Sequence, residues 1–252
     1  MCQNMLKNIL ENLEVFYYMV QPISGDTHEE RLESFYHKQS PYYDLSRKNI
    51  LKGREELFTH MSKHEGKDLT WIDMGGGTAA NFDCIEQNLD NFKKIYIVDL
   101  SSSLLEVASQ RIIKNKWLNF EIVKTDVTQF DPPESSADII TFSYSLSMMS
   151  NWFEVIDRAQ KILKPGGLIG VVDFYVSSKY PTASFKKHSW LTRTFWPTWF
   201  AVDNVFLSPD RLNYLHHKFK KVNCTESMAT LSFPPGFKAP YYLFIGRKLG
   251  AG

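Results

Sequence analysis

Three features of this sequence predict an α/β fold on a mostly parallel sheet. The apolar segment Trp71-Ile72-Asp73-Met74 runs straight into Gly75-Gly76-Gly77 and then into small residues, which reads as a strand, a tight turn and a helix start. Further apolar runs of strand length recur at 94–100, 120–127, 138–143 and 163–173, several ending in or beside an acid. Between the second and third of these strands, residues 101–114 carry Leu104, Leu105, Val107, Ala108, Ile112 and Ile113 at helical spacing behind a serine cap, as a parallel crossover requires.

Taken in order, the chain begins with Leu6, Ile9, Leu10, Leu13, Phe16, Tyr17 and Val20, spaced as an amphipathic helix that could pack on the domain or lie on lipid. Lys7, Glu11 and Glu14 interrupt it, so neither a signal peptide nor a spanning helix is expected. Residues 21–30 read as a polar break, Pro41 ends a helix, and a new helix is expected from about Asp44. Glycine at the first strand-to-helix turn permits positive φ and close approach of a ligand, with unpaired N–H groups expected at the helix start. The spacing Gly75-x-Gly77-x-x-Ala80 also admits a dinucleotide. Asp99 ends the second strand where such sheets meet ribose hydroxyls, and Asp126 follows the third, suited to an adenine amine. Ser143 and Tyr144 follow the fourth strand, where ligands collect. Leu163-Lys164-Pro165-Gly166-Gly167 reads as a helix stop and turn before the fifth strand, and residues 219–226 and 239–247 read as a closing hairpin.

From Trp71 to Phe174 the chain resembles the class I S-adenosylmethionine-dependent methyltransferases, through Asp73, the glycine turn, Asp99, Asp126 and Leu-Lys-Pro-Gly-Gly. That resemblance implies a Rossmann-like, seven-stranded, mostly parallel sheet with an antiparallel C-terminal hairpin and N-terminal helices over the cofactor cleft. It implies S-adenosyl-L-methionine as cofactor, held by Asp73, Gly75, Gly76, Gly77, Asp99, Leu100, Asp126, Val127 and Ser143. An acid at Asp73 suits the ammonium of a methionine moiety and repels a pyrophosphate, which counts against an NAD-dependent oxidoreductase. Ala79 departs from the family's third glycine, which is tolerable if that residue is already helical.

One domain, 1–252, is expected: a helical cap over 1–68, a cofactor-binding core over 69–174, an aromatic and basic helical insertion over 175–218, and a terminal hairpin over 219–248. Lysine and arginine total 29 against 28 acids, a net charge of +1, so there is no field to draw nucleic acid. Three scattered cysteines offer neither a zinc site nor a disulfide framework, which fits a cytoplasmic protein, one still able to sit on a membrane surface.

Tyr42-Tyr43-Asp44-x-x-Arg47 and the stretch from Phe195 to Leu215 resemble the N-methyltransferase component of betaine-lipid synthesis. This implies three successive methylations of diacylglyceryl-homoserine, with a 3-amino-3-carboxypropyl transferase as partner. Lys179, Lys186, Lys187 and Arg193 among Trp190, Phe195, Trp196, Trp199 and Phe200 suit a membrane interface, a large apolar substrate with an anionic group, or a packed helical insertion. Tyr42, Tyr43, Tyr144 and Trp196 are candidate faces for an ammonium, and Asp173 and His188 are candidate bases. Methyl transfer needs no metal. Two alternatives stand beside this: methylation of a soluble or prenylated small molecule such as a quinone precursor, and a catalytically silent cofactor-binding subunit.

Overall fold

The computed structural model describes residues 25–37, 44, 50–133, 136–182, 185–231 and 236–250. The amphipathic stretch Leu6–Val20 and the tyrosines Tyr42 and Tyr43 lie outside these residues. Five strands run parallel: β1 (Leu69–Met74), β2 (Phe92–Asp99), β3 (Phe120–Lys124), β4 (Ala137–Ser143) and β5 (Leu163–Phe174). Strand β6 (Lys220–Thr230) and β7 (Lys238–Arg247) form an antiparallel hairpin, and β7 inserts antiparallel against β5. The order β3-β2-β1-β4-β5-β7-β6 is the seven-stranded sheet that the sequence predicts.

Both faces of the sheet are covered, so the central strands can be apolar throughout. Trp71, Ile95, Ile97 and Ile139 point into one cluster with Leu57 and Phe58 of helix α2 (Arg54–Met61) and Ala108 of helix α3 (Ser102–Asn115). Their neighbours Ile72, Tyr96, Val98 and Ile140 point the other way, onto Val155 and Ile156 of α4 (Trp152–Ile162) and Leu215 of a later helix at Asp210–Lys218. Each such buried side chain contributes about 1.5–3 kcal/mol of transfer free energy. Between β5 and β6 lie α5 (Trp190–Ala201) and that later helix, α6.

Local signals set the helix starts. Helix α1 (His28–Tyr36) begins on a capping box: Thr27 Oγ1 accepts from Glu30 N at 3.1 Å while Glu30 Oε2 accepts from Thr27 N at 3.0 Å. The polar break expected over 21–30 therefore ends earlier than its composition implies. Ser101 caps α3 as expected, accepting from Leu104 N at 3.3 Å, and Lys116 closes it at φ +56°.

Three local expectations change. Ala79 is not helical but left-handed, at φ +57°, which costs an L-residue about 1–2 kcal/mol. The segment beyond it is 3₁₀ (Ala80–Asn91), kinked at Ile85. Lys164 to Gly167 is no separate turn: α4 passes directly into β5, and the register against β4 shifts there, with Ala137 opposite Leu163 but Ile139 opposite Leu168. Strand β6 also runs on to Thr230, past the expected end at Glu226.

Candidate active site

The strand order reverses between β1 and β4, and open α/β sheets place ligands in the crevice at the carboxyl ends of such strands. A cleft of about 670 Å³, part of it open to solvent, lies there. Its walls come from Gly75 and Gly77 after β1, Asp99 and Leu100 after β2, Asp126 and Val127 after β3, and Ser143 and Tyr144 at the end of β4. The structure thus brings Gly75, Gly77, Asp99, Leu100, Asp126, Val127 and Ser143 to one cleft.

Asp99 is held by its surroundings. Its Oδ2 accepts from Gly77 N and its Oδ1 from Ser101 N, each at 2.9 Å. Burial pushes its carboxyl above the usual range, while these N–H groups pull it back. Each oxygen keeps a further lone pair, enough for a diol. Asp126 Oδ1 accepts from Thr128 N at 2.8 Å and Thr128 Oγ1 at 2.6 Å, and its Oδ2 makes no hydrogen bond to any described residue. The hydroxyl of Ser143 is buried and has no partner among the described residues.

The glycine turn is occupied differently from expectation. Gly75 N and Gly76 N both donate to Val98 O, at 2.8 and 3.2 Å, Gly77 N donates to Asp99, and Ala79 N donates to Gly76 O at 3.1 Å. This engages the N–H groups of Gly75, Gly76, Gly77 and Ala79, and the Asp99 carboxylate beside them opposes a phosphate. A cationic, phosphate-free nucleoside fits it better. A Cβ on Gly77, at φ +54°, would meet only Leu104 at 3.6 Å, which leaves room for a ligand against the backbone. At Gly75, φ +72°, a Cβ would strike Ser145 Cβ at 2.4 Å, so that glycine serves packing rather than ligand space.

Asp73 does not line the cleft. It is fully buried beneath the turn, accepting from Thr141 Oγ1 at 2.7 Å and from Asn81 Nδ2 at 3.5 Å. Thr141 Oγ1 in turn accepts from Trp71 Nε1 at 2.9 Å. Burial pushes the Asp73 carboxyl up to about 7, so the expected direct contact with an ammonium is corrected to a place in the floor. Gly76 sits directly above it: a Cβ there would lie 3.1 Å from Asp73 Oδ2.

A second cavity of about 530 Å³, part of it open to solvent, adjoins the first and shares Tyr36, Tyr144 and Met148 with it. Phe35, Leu51, Phe174, Phe200 and Val205 make it apolar and aromatic, and Asp203 is the one carboxylate among its described lining residues. Tyr144, at φ +56°, stands between the two. Its hydroxyl donates to Lys52 O at 2.6 Å, and its ring lies 4.7 Å from that of Phe174. Burial, with the charge of Asp173, raises its pKa well above the phenol range, so it stays neutral and is no base.

The candidate bases are placed elsewhere. Asp173 is fully buried, and its oxygens accept from Ser147 N and Phe174 N, both at 2.8 Å. It lines neither cavity and fixes the loop after β4. Burial raises its pKa and the nearby Arg211 guanidinium lowers it. His188 Nδ1 accepts from Ser177 N at 3.0 Å, its ring meets Tyr175 edge-on, and burial lowers its pKa. It too lines neither cavity. Trp196 is buried against Phe200 and presents no face to a ligand.

Sequence reasoning missed Leu32 and Tyr36 of α1, Leu104, and the pair Met148 and Met149, all of which line the first cleft. Tyr36 Oη lies 2.9 Å from Met148 Sδ. Helix α1 is tied down by Glu33, which accepts from Ser101 Oγ at 3.1 Å, from Ser103 N at 3.3 Å and from Ser103 Oγ. Asp44 of the Tyr-Tyr-Asp stretch accepts from Thr78 Oγ1 at 2.6 Å and pairs with Arg111, so it braces the glycine turn.

Fold and cleft together define a class I S-adenosylmethionine-dependent methyltransferase. The chain belongs to the ubiE/COQ5 methyltransferase family, whose model matches residues 25–245. It is 24% identical over 191 residues to a demethylmenaquinone methyltransferase of Listeria monocytogenes, spanning 66% of this chain and 80% of that one. A protein of the same name from Geobacillus kaustophilus is 26% identical over 145 residues, spanning 56% of this chain and 61% of its own length. Among solved structures, a Haemonchus contortus phosphoethanolamine N-methyltransferase in complex with phosphomonomethylethanolamine and S-adenosylhomocysteine shares the fold at TM-score 0.67 and 13% identity, over 90% of this chain and 61% of that one. The cyclase SpnF shares it at TM-score 0.66 and 14% identity, over 92% and 100%. The fold alone therefore does not specify the chemistry.

Proposed function

We propose that this chain transfers the methyl group of S-adenosylmethionine to an acceptor with a long apolar portion, whose reacting end sits in the aromatic cavity. The observation that carries this is the shared wall: Tyr36, Tyr144 and Met148 belong to both spaces, so a donor methyl in the first cleft faces a nucleophile in the second. Methyl transfer is an in-line displacement in which charge moves from sulfur to the acceptor, and alignment of two held reactants supplies much of the acceleration. The donor brings the electrophilic methyl. The chain's own residues would hold its sugar through Asp99 and its base beside Asp126 and Val127, and the cavity walls would exclude water.

A prenylated ring acceptor of the kind named for the relatives suits a cavity so poor in polar groups. Asp203 favours a second reading, the amine headgroup of a lipid, because a carboxylate beside the aromatic rings of Phe35, Phe174 and Phe200 suits an ammonium product. In that case diacylglyceryl-homoserine would be supplied by a 3-amino-3-carboxypropyl transferase. Purified enzyme with labelled donor, offered demethylmenaquinol and diacylglyceryl-homoserine separately, distinguishes them by the mass of the product. Turnover of water-soluble amines alone would overturn both.

A further inference from the structure

Helix α5 turns a face without charge toward solvent. Trp190, Leu191, Phe195 and Val202 lie on it, with Thr194 and Thr198 between them, and all six are exposed, Trp190 and Leu191 at 68%. The opposite face buries Trp196 and Phe200 in the core. A large apolar helix face normally packs inside a protein or against lipid rather than facing water. Both threonine hydroxyls are satisfied within the helix, Thr194 Oγ1 donating to Trp190 O at 3.1 Å and Thr198 Oγ1 to Thr194 O at 2.9 Å. That arrangement asks nothing of surrounding water.

The segment that carries this face has charges of one sign, and the acids next to it are Asp203, just past its end, and Glu226, which accepts from Lys186 N at 3.1 Å. From Phe174 to Val202 the chain carries Lys179, Lys186, Lys187 and Arg193 and no acid. The ammonium groups of Lys179 and Lys187 lie 5.3 and 5.9 Å from the centre of the Tyr180 ring, itself 77% exposed. Aromatic side chains with lysines beside an apolar face match the headgroup layer of an anionic bilayer. The apolar surface continues onto Phe237, which is half exposed and whose ring lies tilted 5.8 Å from that of Phe195.

We propose that α5 lies flat on an anionic lipid surface, its exposed face sunk to the acyl boundary and the flanking lysines among the headgroups. At 12 residues it is too short to cross, and no helix among the described residues is long and apolar enough to span a membrane. Phe200 on its inner side, with Asp203 and Val205 just beyond, lines the aromatic cavity. The docked helix therefore sets that cavity beside the bilayer, where an apolar-tailed acceptor resides. This deepens the proposed function, yet membrane binding is read with no acceptor present, so the two fail separately.

The test is flotation of the full chain with vesicles of phosphatidylcholine, alone or mixed with phosphatidylserine, at low and high salt. The protein should float with the anionic vesicles, less with the neutral ones, and less again as salt screens the lysines. Trp190→Ser with Leu191→Ser should weaken binding at least about tenfold, with melting temperature and donor titration unchanged. Lys179→Glu with Lys187→Glu should abolish the preference for phosphatidylserine. Wild-type protein that stays in solution with both vesicles, or a double serine variant that floats as well as wild type, would overturn the inference. A wild-type dimer that the serine variant dissociates, without vesicle binding, would assign the face to a second copy instead. Vesicle binding with neither acceptor turned over would sink the proposed function and leave α5 on its membrane.

Discussion

The donor cleft and the aromatic cavity share three residues but are built by different means. The cleft is made at strand ends, where backbone geometry and a few acids decide: Gly77 at φ +54°, Asp99 fixed by two N–H donors, Asp126 fixed by Thr128. The cavity is made by packing, from α1, the turn after β4, the end of β5 and the segment after α5. The first is specified by single residues at fixed offsets from strands. The second is specified by which surfaces come together, and that depends on the whole fold.

The largest test of this contrast is Asp173→Ala. It would free the N–H groups of Ser147 and Phe174 and weaken the field that opposes the buried Arg211, an expected loss of about 1–3 kcal/mol for each N–H left unpaired, read in chemical denaturation. A loss below about 1 kcal/mol would show that the wall does not hang on this carboxylate. Next comes pH. Asp73 titrates at 3.8 in the ordinary case and at about 7 when folded. The folded state therefore holds the extra proton between these values, and its stability falls as pH rises through that window and is level above it. In Asp73→Asn this group's share of the slope should vanish, a difference of a few kcal/mol across the window; parallel pH profiles for the two proteins would contradict the buried placement.

Asp99→Ala should weaken donor binding by about 1–3 kcal/mol and leave the affinity for acceptor unchanged. Titration calorimetry of donor against steady-state KM of acceptor reads the two separately, and equal losses in both would mean that the spaces are not independent. The smallest effect is Lys116→Gly, at a left-handed helix end far from either space, which should raise stability by about 0.4–1 kcal/mol in thermal melts without touching either substrate.

The same contrast explains what was legible. The seven-stranded sheet, the cap at Ser101 and the cleft-lining residues at strand ends followed from period, glycine and acids, because local chemistry decides them. The capping box Thr27-x-x-Glu30 was equally local and was overlooked inside a polar stretch. Asp173 and His188 looked like bases because an acid or imidazole near a ligand site is chemically apt. Sequence could not show that Asp173 has both oxygens bound to backbone N–H groups, or that His188 faces Ser177. Met148 and Met149 escaped notice for a related reason: apolar side chains announce burial, not whether the space beside them is empty. Ala79 broke a rule of thumb outright, since its left-handed φ is held by the closely packed turn around it.

The chain Trp71 to Thr141 to Asp73 carries one further consequence. Asp73 and Thr141 sit directly opposite each other on β1 and β4. Sliding β4 by a single position would swing the threonine through the sheet and strand an indole N–H and a carboxyl group in the dry interior at once. Apolar neighbours would tolerate such a slip far better, one isoleucine replacing another. These three polar groups thus act as a checksum on strand alignment, at the seam where the sheet changes direction and where the donor has to fit.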